Sequence, residues 1–288
     1  MAEATIPVDP TNPGQVFACL GLMEAAEVLC GPVMGWFDLS RGQETLTLAT
    51  DCEEDPVLAV LSFLTKAEVC AATPDGQDVS FGKSMRFKAC SVYPPGAYPY
   101  PEPSARDRLP CVFVDGEHSL VIDHWADGAR QDAMKFWAGA GGYPGVALAR
   151  DALELLPDDP EALRSDPFAF SAPQSSSFRF DWRRDYVPID VGFSPNRHGS
   201  VTMVGFPVVE VLAAIGLRYA RPERETRLSY RYAAWGIPLP LPFARAALGC
   251  PDPIMPGLPQ RRFRMTLGWP GQEGQAKCII RVDEETPI

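Results

Sequence analysis

Histidine is scarce in this 288-residue chain, which carries three copies, and the catalytic signatures built on it are missing. There is no H-E-x-x-H helix and no G-x-S-x-G elbow. A G-x-x-x-x-G-K-[ST] phosphate loop is absent too, so nucleotide hydrolysis by that route is excluded. No uninterrupted apolar run approaches 18 residues, which argues against a membrane-spanning helix and a membrane partner. The N-terminal stretch Met1-Ala2-Glu3-Ala4-Thr5-Ile6-Pro7 lacks a basic region followed by an apolar one, so no signal peptide is expected. Eight cysteines are present, but no two fall within three residues of each other. Zinc ribbons and fingers need close pairs. Reduced, mostly buried thiols in a cytoplasmic protein are therefore expected, with no cofactor and no metal.

What the chain does have is acid, and it is unevenly placed. The formal charge is −11, against a free-standing non-specific nucleic-acid binder. Residues 1–177 hold 11 Lys+Arg and 26 Asp+Glu, whereas residues 178–288 hold 15 and 11. Of the 26 basic residues, 21 are arginine. An acidic half beside a mildly basic half suits a subunit of an assembly at least as well as a lone enzyme. The organisation expected is an acidic part over 1–156, a polar Pro- and Ser-rich linker or surface loop over 157–177, and a basic part over 178–288, with one continuous domain as the alternative.

The pattern alternates helices with hairpins, which favours an α+β fold over a doubly wound one. Helical spacing predicts helices over Val16 to Leu29, Pro56 to Ala72, a stretch opened by Gly142-Tyr143-Pro144-Gly145 and running through Leu156, Pro207 to Tyr219 and Pro242 to Leu248. Alternation and turn residues predict hairpins at Trp36 to Ala49, at Cys111 to Asp123 through Asp115-Gly116-Glu117, and at Arg262 to Val282. Lys83 to Val92, Phe178 to Trp182, Val187 to Val191, Thr202 to Val204 and Leu228 to Trp235 read as strands. The stretch Tyr93 to Pro110 has six prolines and three tyrosines and cannot be a helix or a central strand. An internal echo links Ala18-Cys19-Leu20-Gly21-Leu22 with Ala213-Ala214-Ile215-Gly216-Leu217, each glycine suited to close approach of its helix to a sheet.

Two constellations carry chemistry. His118 and His124 share a strand face with Asp123 nearby, the material of a metal-dependent nuclease. Residues six apart on a strand are roughly 20 Å apart, too far to share one metal, so this reading is held as an alternative. The second constellation is basic. Arg86 and Lys88 alternate onto one strand face; Phe180, Trp182 and Tyr186 interleave with Arg179, Arg183 and Arg184; Arg197 lies in a loop; and Arg261, Arg262 and Arg264 open the last hairpin. Aromatic faces stack bases and guanidinium groups bond phosphates. The bland counterpart is arginines snorkelling from solvated strands over core aromatics.

Several segments together resemble a family of CRISPR-associated effector-complex proteins of type I-U (I-G) systems. They are Asn12-Pro13-Gly14-Gln15-Val16-Phe17-Ala18-Cys19-Leu20-Gly21-Leu22-Met23-Glu24-Ala25-Ala26, then Lys135-Phe136-Trp137-Ala138-Gly139, then Phe180-Asp181-Trp182-Arg183-Arg184-Asp185-Tyr186 with Asp190-Val191-Gly192-Phe193-Ser194-Pro195. The first is the most specific. The resemblance implies a non-catalytic, large-subunit-like or RAMP-like component of a crRNA-guided surveillance complex. It also implies an RRM/ferredoxin-like (RAMP-type) core, duplicated if the echo is more than chance. Its implied partners are crRNA, target DNA and other CRISPR effector subunits, with help in reading the flanking motif. On that footing Arg86, Lys88, Lys135, Arg183, Arg184 and Arg197 are expected at phosphates, with Trp137 or Tyr186 stacking. A protein-only scaffold or inhibitor is the remaining alternative.

Overall fold

The chain folds as follows in the computed structural model, which describes residues 1–82, 85–93, 108–126, 143–184, 202–249, 252, 256–269 and 277–285. Strand β1 (Ala2–Pro7) leads into α1 (Pro13–Cys30), and β2 (Val33–Asp38) and β3 (Thr45–Thr50) follow as a hairpin. Asn12 starts the helix: its side chain accepts from the Gly14 N–H while Pro13 occupies the first turn, where no donor is needed. Every residue from Pro13 to Ala26 is buried, as expected of a helix apolar on all faces. β3 lies between β1 and β2 and runs antiparallel to both, with Ala4 opposite Leu48 and Gly35 opposite the same Leu48. β1 and β2 are therefore parallel neighbours-but-one joined through α1.

The helical spacing over 56–72 breaks earlier than expected. α2 (Pro56–Lys66) ends at Ala67, which is extended, and the chain continues as β4 (Glu68–Ala71). A short hairpin, β5 (Val79–Phe81) with β6 (Met85–Phe87), replaces the single strand expected from Lys83. β7 (Cys111–Val114) and β8 (Ser119–Ile122) form the expected hairpin, and β4 adds to it in the order β4-β7-β8. α3 (Gly145–Leu153) then precedes the 157–177 stretch expected as a linker or surface loop. That stretch carries a 3-10 turn at Pro160–Leu163 and β9 (Ala172–Pro173), and it buries Leu163 and Phe168. Arg164 also reaches back to Asp55 at 2.5 Å.

The later part comprises β10 (Val204–Gly205), α4 (Pro207–Tyr219), β11 (Glu223–Arg224), β12 (Ser229–Trp235), β13 (Leu239–Pro240), α5 (Leu241–Gly249), β14 (Gln260–Gly268) and β15 (Cys278–Glu285). The sheet order is β11-β12-β14-β15, while β13 leaves that sheet and pairs with β2. Among the described residues this is a mixed α+β fold with five α-helices and small antiparallel sheets. Phe178 to Trp182 is not the strand expected, since Arg179 sits at φ 64 and interrupts extension.

The glycine echo has a different purpose from the one expected. Gly21 and Gly216 do not bring their helices to a sheet; they bring α1 and α4 to each other. A Cβ on Gly21 would fall on the Leu212 carbonyl, and one on Gly216 would fall on the Phe17 carbonyl. The obstacles are backbone, which cannot rotate away, so each glycine is required by the crossing. One hydrophobic core runs through both parts, from Ile6 and Phe17 to Leu212, Tyr232 and Trp235.

Candidate functional site

Of the eight residues expected at nucleic acid, Lys135, Trp137, Tyr186 and Arg197 lie outside the described residues. Residues 94–107 of the Pro-rich stretch do as well. The other four divide into two pairs with different environments.

Arg86 and Lys88 stand exposed at β6, on the rim of a concavity of about 440 Å³ between α2, β4 and α3. Phe87 between them turns into the core at 3% exposure, as alternation requires. Lys88 pairs with Glu68 at 2.6 Å, and both partners are more than half exposed. A pair so open to water contributes little stability and is readily exchanged for another anion. Arg86 makes no ion pair or side-chain hydrogen bond among the described residues. Arg150, from α3, lies over the Phe87 ring at 4.8 Å and also pairs with Asp151 at 3.0 Å. Three cations and the two carboxylates Glu68 and Glu154 therefore line this depression.

Arg183 and Arg184 are turned inward and already engaged. Arg183 donates to both carboxylate oxygens of Asp181, at 3.0 and 2.6 Å from Nε and Nη2, and to the Phe168 carbonyl at 2.7 Å. Its guanidinium also lies 3.7 Å from the centre of the Phe206 ring. Asp181 has no exposed side-chain surface and accepts a further bond from Asn12 Nδ2 at 2.9 Å. The residue that starts α1 is thus tied to the 178–184 segment through a buried carboxylate whose counter-ion is Arg183. Arg184 donates to Ser177 Oγ and to the carbonyls of Gln174 and Ser175. Burial without a facing carboxylate bond pulls its pKa down to about 10. Of the aromatics interleaved with these arginines, Phe180 is a core residue stacked on Phe178 at 5.5 Å, which stacks in turn on Trp125. Trp182 is 36% exposed.

Beside this segment lies a carboxyl passed over in the sequence and strongly perturbed by burial. Glu210, in the first turn of α4, is 1% exposed, and burial pushes its pKa up to about 7. One of its oxygens accepts from the Asp181 N–H at 3.1 Å, and the other is buried with no hydrogen bond. The signal that could have found it is the echo itself. The offset that lays Gly21 on Gly216 also lays Gln15 on Glu210, and Gln15 Oε1 accepts the Asp9 N–H at 2.7 Å in the same manner.

The arginines of the last hairpin and its neighbours are saturated with carboxylates. Arg231 donates to Glu285 at 2.8 Å and Glu223 at 3.0 Å, Arg264 to Glu225 at 2.7 Å, and Arg261 to Glu44 at 2.6 Å and Glu284 at 2.9 Å. Arg262 is the loosest, 3.9 Å from Asp252. Arg218 and Arg221 fasten the end of α4 to the β8 region. Arg218 reaches Asp123 and the Val121 carbonyl at 3.1 Å each, and Arg221 reaches the His124 carbonyl at 2.6 Å.

That arrangement also occupies the material of the nuclease alternative. Asp123 is held by Arg218 and by the Tyr93 hydroxyl at 2.9 Å. His124 lies past the end of β8, buried edge-on to Trp125, and His118 sits 3.6 Å from Asp115 in the turn. Among the described residues no three His, Cys, Asp or Glu side chains gather where they could hold a metal ion. One helix among the described residues, α1, is long and apolar enough to cross a membrane, but 78% of it is buried in the core.

No family model, curated protein or solved structure matches this chain.

Proposed function

We propose that this chain is a non-catalytic subunit of a crRNA-guided type I CRISPR surveillance complex, binding crRNA or target DNA alongside other effector subunits. The observation that carries the reading is the role of the stretch Asn12 to Ala26, on which the resemblance chiefly rests. It forms the buried helix of a β-α-β-β unit in which β3 separates β1 from β2. That split β-α-β arrangement, followed by α2 and β4, has the element order of an RRM/ferredoxin-like core. It departs from such a core in that β4 joins β7 and does not close the sheet beside β1.

Within this reading the phosphate contacts centre on Arg86 and Lys88, which are exposed and free or weakly paired, together with Lys135 and Arg197, with Trp137 and Tyr186 as stacking candidates. Arg183 and Arg184 have spent most of their donors inside the protein, so reversing their charge would test the fold before it tested binding. The acidic surface of the first half suits protein neighbours better than nucleic acid.

The decisive experiment is a tagged pull-down from a reconstituted operon, with bound RNA sequenced and bound proteins identified. Repeat-derived RNA recovered with other effector subunits supports the proposal. Recovery of the chain alone, or of protein partners that persist after nuclease treatment with no RNA, overturns it and favours a protein-only scaffold.

A further inference from the structure

The depression between α2, β4 and α3 has room for more than a phosphate. Its volume of about 440 Å³ lies within the range of sites that hold a small organic ligand. Leu64, Val69, Phe87 and Leu153 give it an apolar wall, and charged groups stand around that wall on β4, α3 and the end of β6. Arg150 is the fixed cation among them. Its guanidinium lies 4.8 Å from the centre of the Phe87 ring, and Nε and Nη2 both donate to Asp151 Oδ1, at 3.3 and 3.0 Å. The other oxygen of Asp151 accepts from the Tyr143 hydroxyl. Ring, carboxylate and hydroxyl hold the guanidinium in place before any ligand arrives, and a planar, delocalised cation is a stacking surface for a flat base.

Arg86 and Lys88 have the opposite character. They project from one strand face roughly 7 Å apart, long and open to water. Among the described residues Arg86 has no ion pair, and Lys88 has an exposed one, to Glu68. Two such cations suit a phosphate, which offers each of them a separate oxygen. Glu154 completes the set. It lies one turn after Arg150, meets it at 3.5 Å and is largely exposed, so its carboxylate keeps room to accept further hydrogen bonds beside the guanidinium. A ligand that uses all of these groups needs an anionic group, a flat body and N–H donors at the edge of that body.

We propose that the depression takes a single nucleotide whose base carries an exocyclic amine, with the phosphate at Arg86 and Lys88, the base against Arg150 and the amine donating to Glu154. The proposal rests on the nucleic-acid reading for the source of that nucleotide, a single strand, but not for the chemistry of the site. Cytosine and adenine present an amine to such a carboxylate, whereas thymine presents a carbonyl oxygen at the corresponding position, which the carboxylate repels. Base preference is therefore the property that separates this site from a surface that merely attracts phosphate.

The test measures fluorescence anisotropy of short labelled oligo(dC) and oligo(dT) with the purified full chain, and calorimetry with cytidine 5′-monophosphate. Oligo(dC) should bind about tenfold tighter than oligo(dT). Glu154→Gln should bring the two affinities together, because an amide can donate to the thymine carbonyl; the ratio is untouched by the general gain from removing a negative charge. Arg150→Lys keeps the charge and the salt slope but loses the flat surface, so oligo(dC) binding should weaken about tenfold. Glu154 is exposed, so its variant remains informative even if Arg150→Lys lowers the melting temperature. Salt-dependent binding with equal affinity for the two strands would overturn the proposal and leave the nucleic-acid reading standing. Binding of cytidine 5′-monophosphate that Arg150→Lys removes, with neither strand bound, would support the site and make a free nucleotide its ligand. Binding of none of the three overturns the proposal, while the pull-down decides the nucleic-acid reading separately.

Discussion

Glu210→Gln should remove a pH dependence that the unaltered protein carries. A carboxyl with a folded-state pKa above its unfolded value binds more protons folded than unfolded. Its contribution is complete below the unfolded value and is withdrawn as pH rises through the folded one. For Glu210 the two values are 4.5 and about 7. At roughly 1.36 kcal/mol per unit, the charged side chain costs about 3 kcal/mol at pH 8, an upper bound because the site can relax or admit water. The groups around it are the Asp181 carboxylate, which adds to the repulsion, and Arg184, which opposes it. Neither cancels the loss of hydration at the oxygen that has no hydrogen bond.

Glutamine keeps the acceptor for the Asp181 N–H and the volume of the side chain, but it cannot ionise. Urea titrations of both proteins at pH 5, 6, 7 and 8 would give stability from the midpoint and slope. The two should be similar at pH 5, and the variant should be more stable by about 2–3 kcal/mol at pH 8. Other carboxylates titrate alike in both proteins and drop out of the difference. Parallel curves across the range would refute the reasoning, because they would mean that Glu210 is not a buried titrating group in the folded chain.

Three other outcomes follow from the packing and the surface. Gly21→Ala forces a methyl group onto the Leu212 carbonyl, so it should cost about 3 kcal/mol, the upper end for overpacking, and lower the melting temperature in calorimetry; an unchanged transition would mean α1 and α4 do not cross there. Arg183→Met strands the buried Asp181 carboxylate and should cost about 3–5 kcal/mol, most of it recovered by adding Asp181→Asn, as measured by urea unfolding of the two single variants and the double. Arg86→Glu with Lys88→Glu should leave the melting temperature unchanged while weakening RNA or single-stranded DNA binding, with the log–log salt slope reduced by roughly 1.4 for two lost phosphate contacts. An unaltered slope in filter binding removes both residues from the interface.

The elements legible in the sequence were those specified by neighbours along the chain. The hairpins β2–β3 and β7–β8 have turn residues flanked by alternation, and α1 and α4 have starting prolines and dense apolar faces. The boundary of α2 was missed because apolar spacing continues through Leu64, Ala67 and Val69, while the backbone turns extended at Ala67. The site was harder still. Whether an arginine is free depends on acids far away in the chain: Arg231 finds Glu285 and Arg261 finds Glu44. No local pattern distinguishes those from Arg86, which faces solvent. The interleaved arginines and aromatics at 178–184 looked like a nucleic-acid surface for the same reason, because a cation beside a ring satisfies both descriptions until its counter-ion is known.

That ambiguity has a physical resolution in Asp181. A carboxylate with no exposed surface must be neutralised where it stands, and Asn12 and Arg183 are the groups that reach it. Asn12 starts α1, and the same 178–184 segment supplies its Asp181 N–H to Glu210 at the start of α4. The two helices that cross at Gly21 and Gly216 are therefore also joined at their N-terminal ends through one short polar segment. A hydrophobic crossing alone fixes distance but leaves two helices free to slide. A buried, directional carboxylate contact at one end removes that freedom, because sliding would break charged hydrogen bonds with no water to replace them. The segments holding Asn12 and Asp181 lie 169 residues apart in the chain. In this fold they act as one unit, and what they secure is the relative position of the two helices.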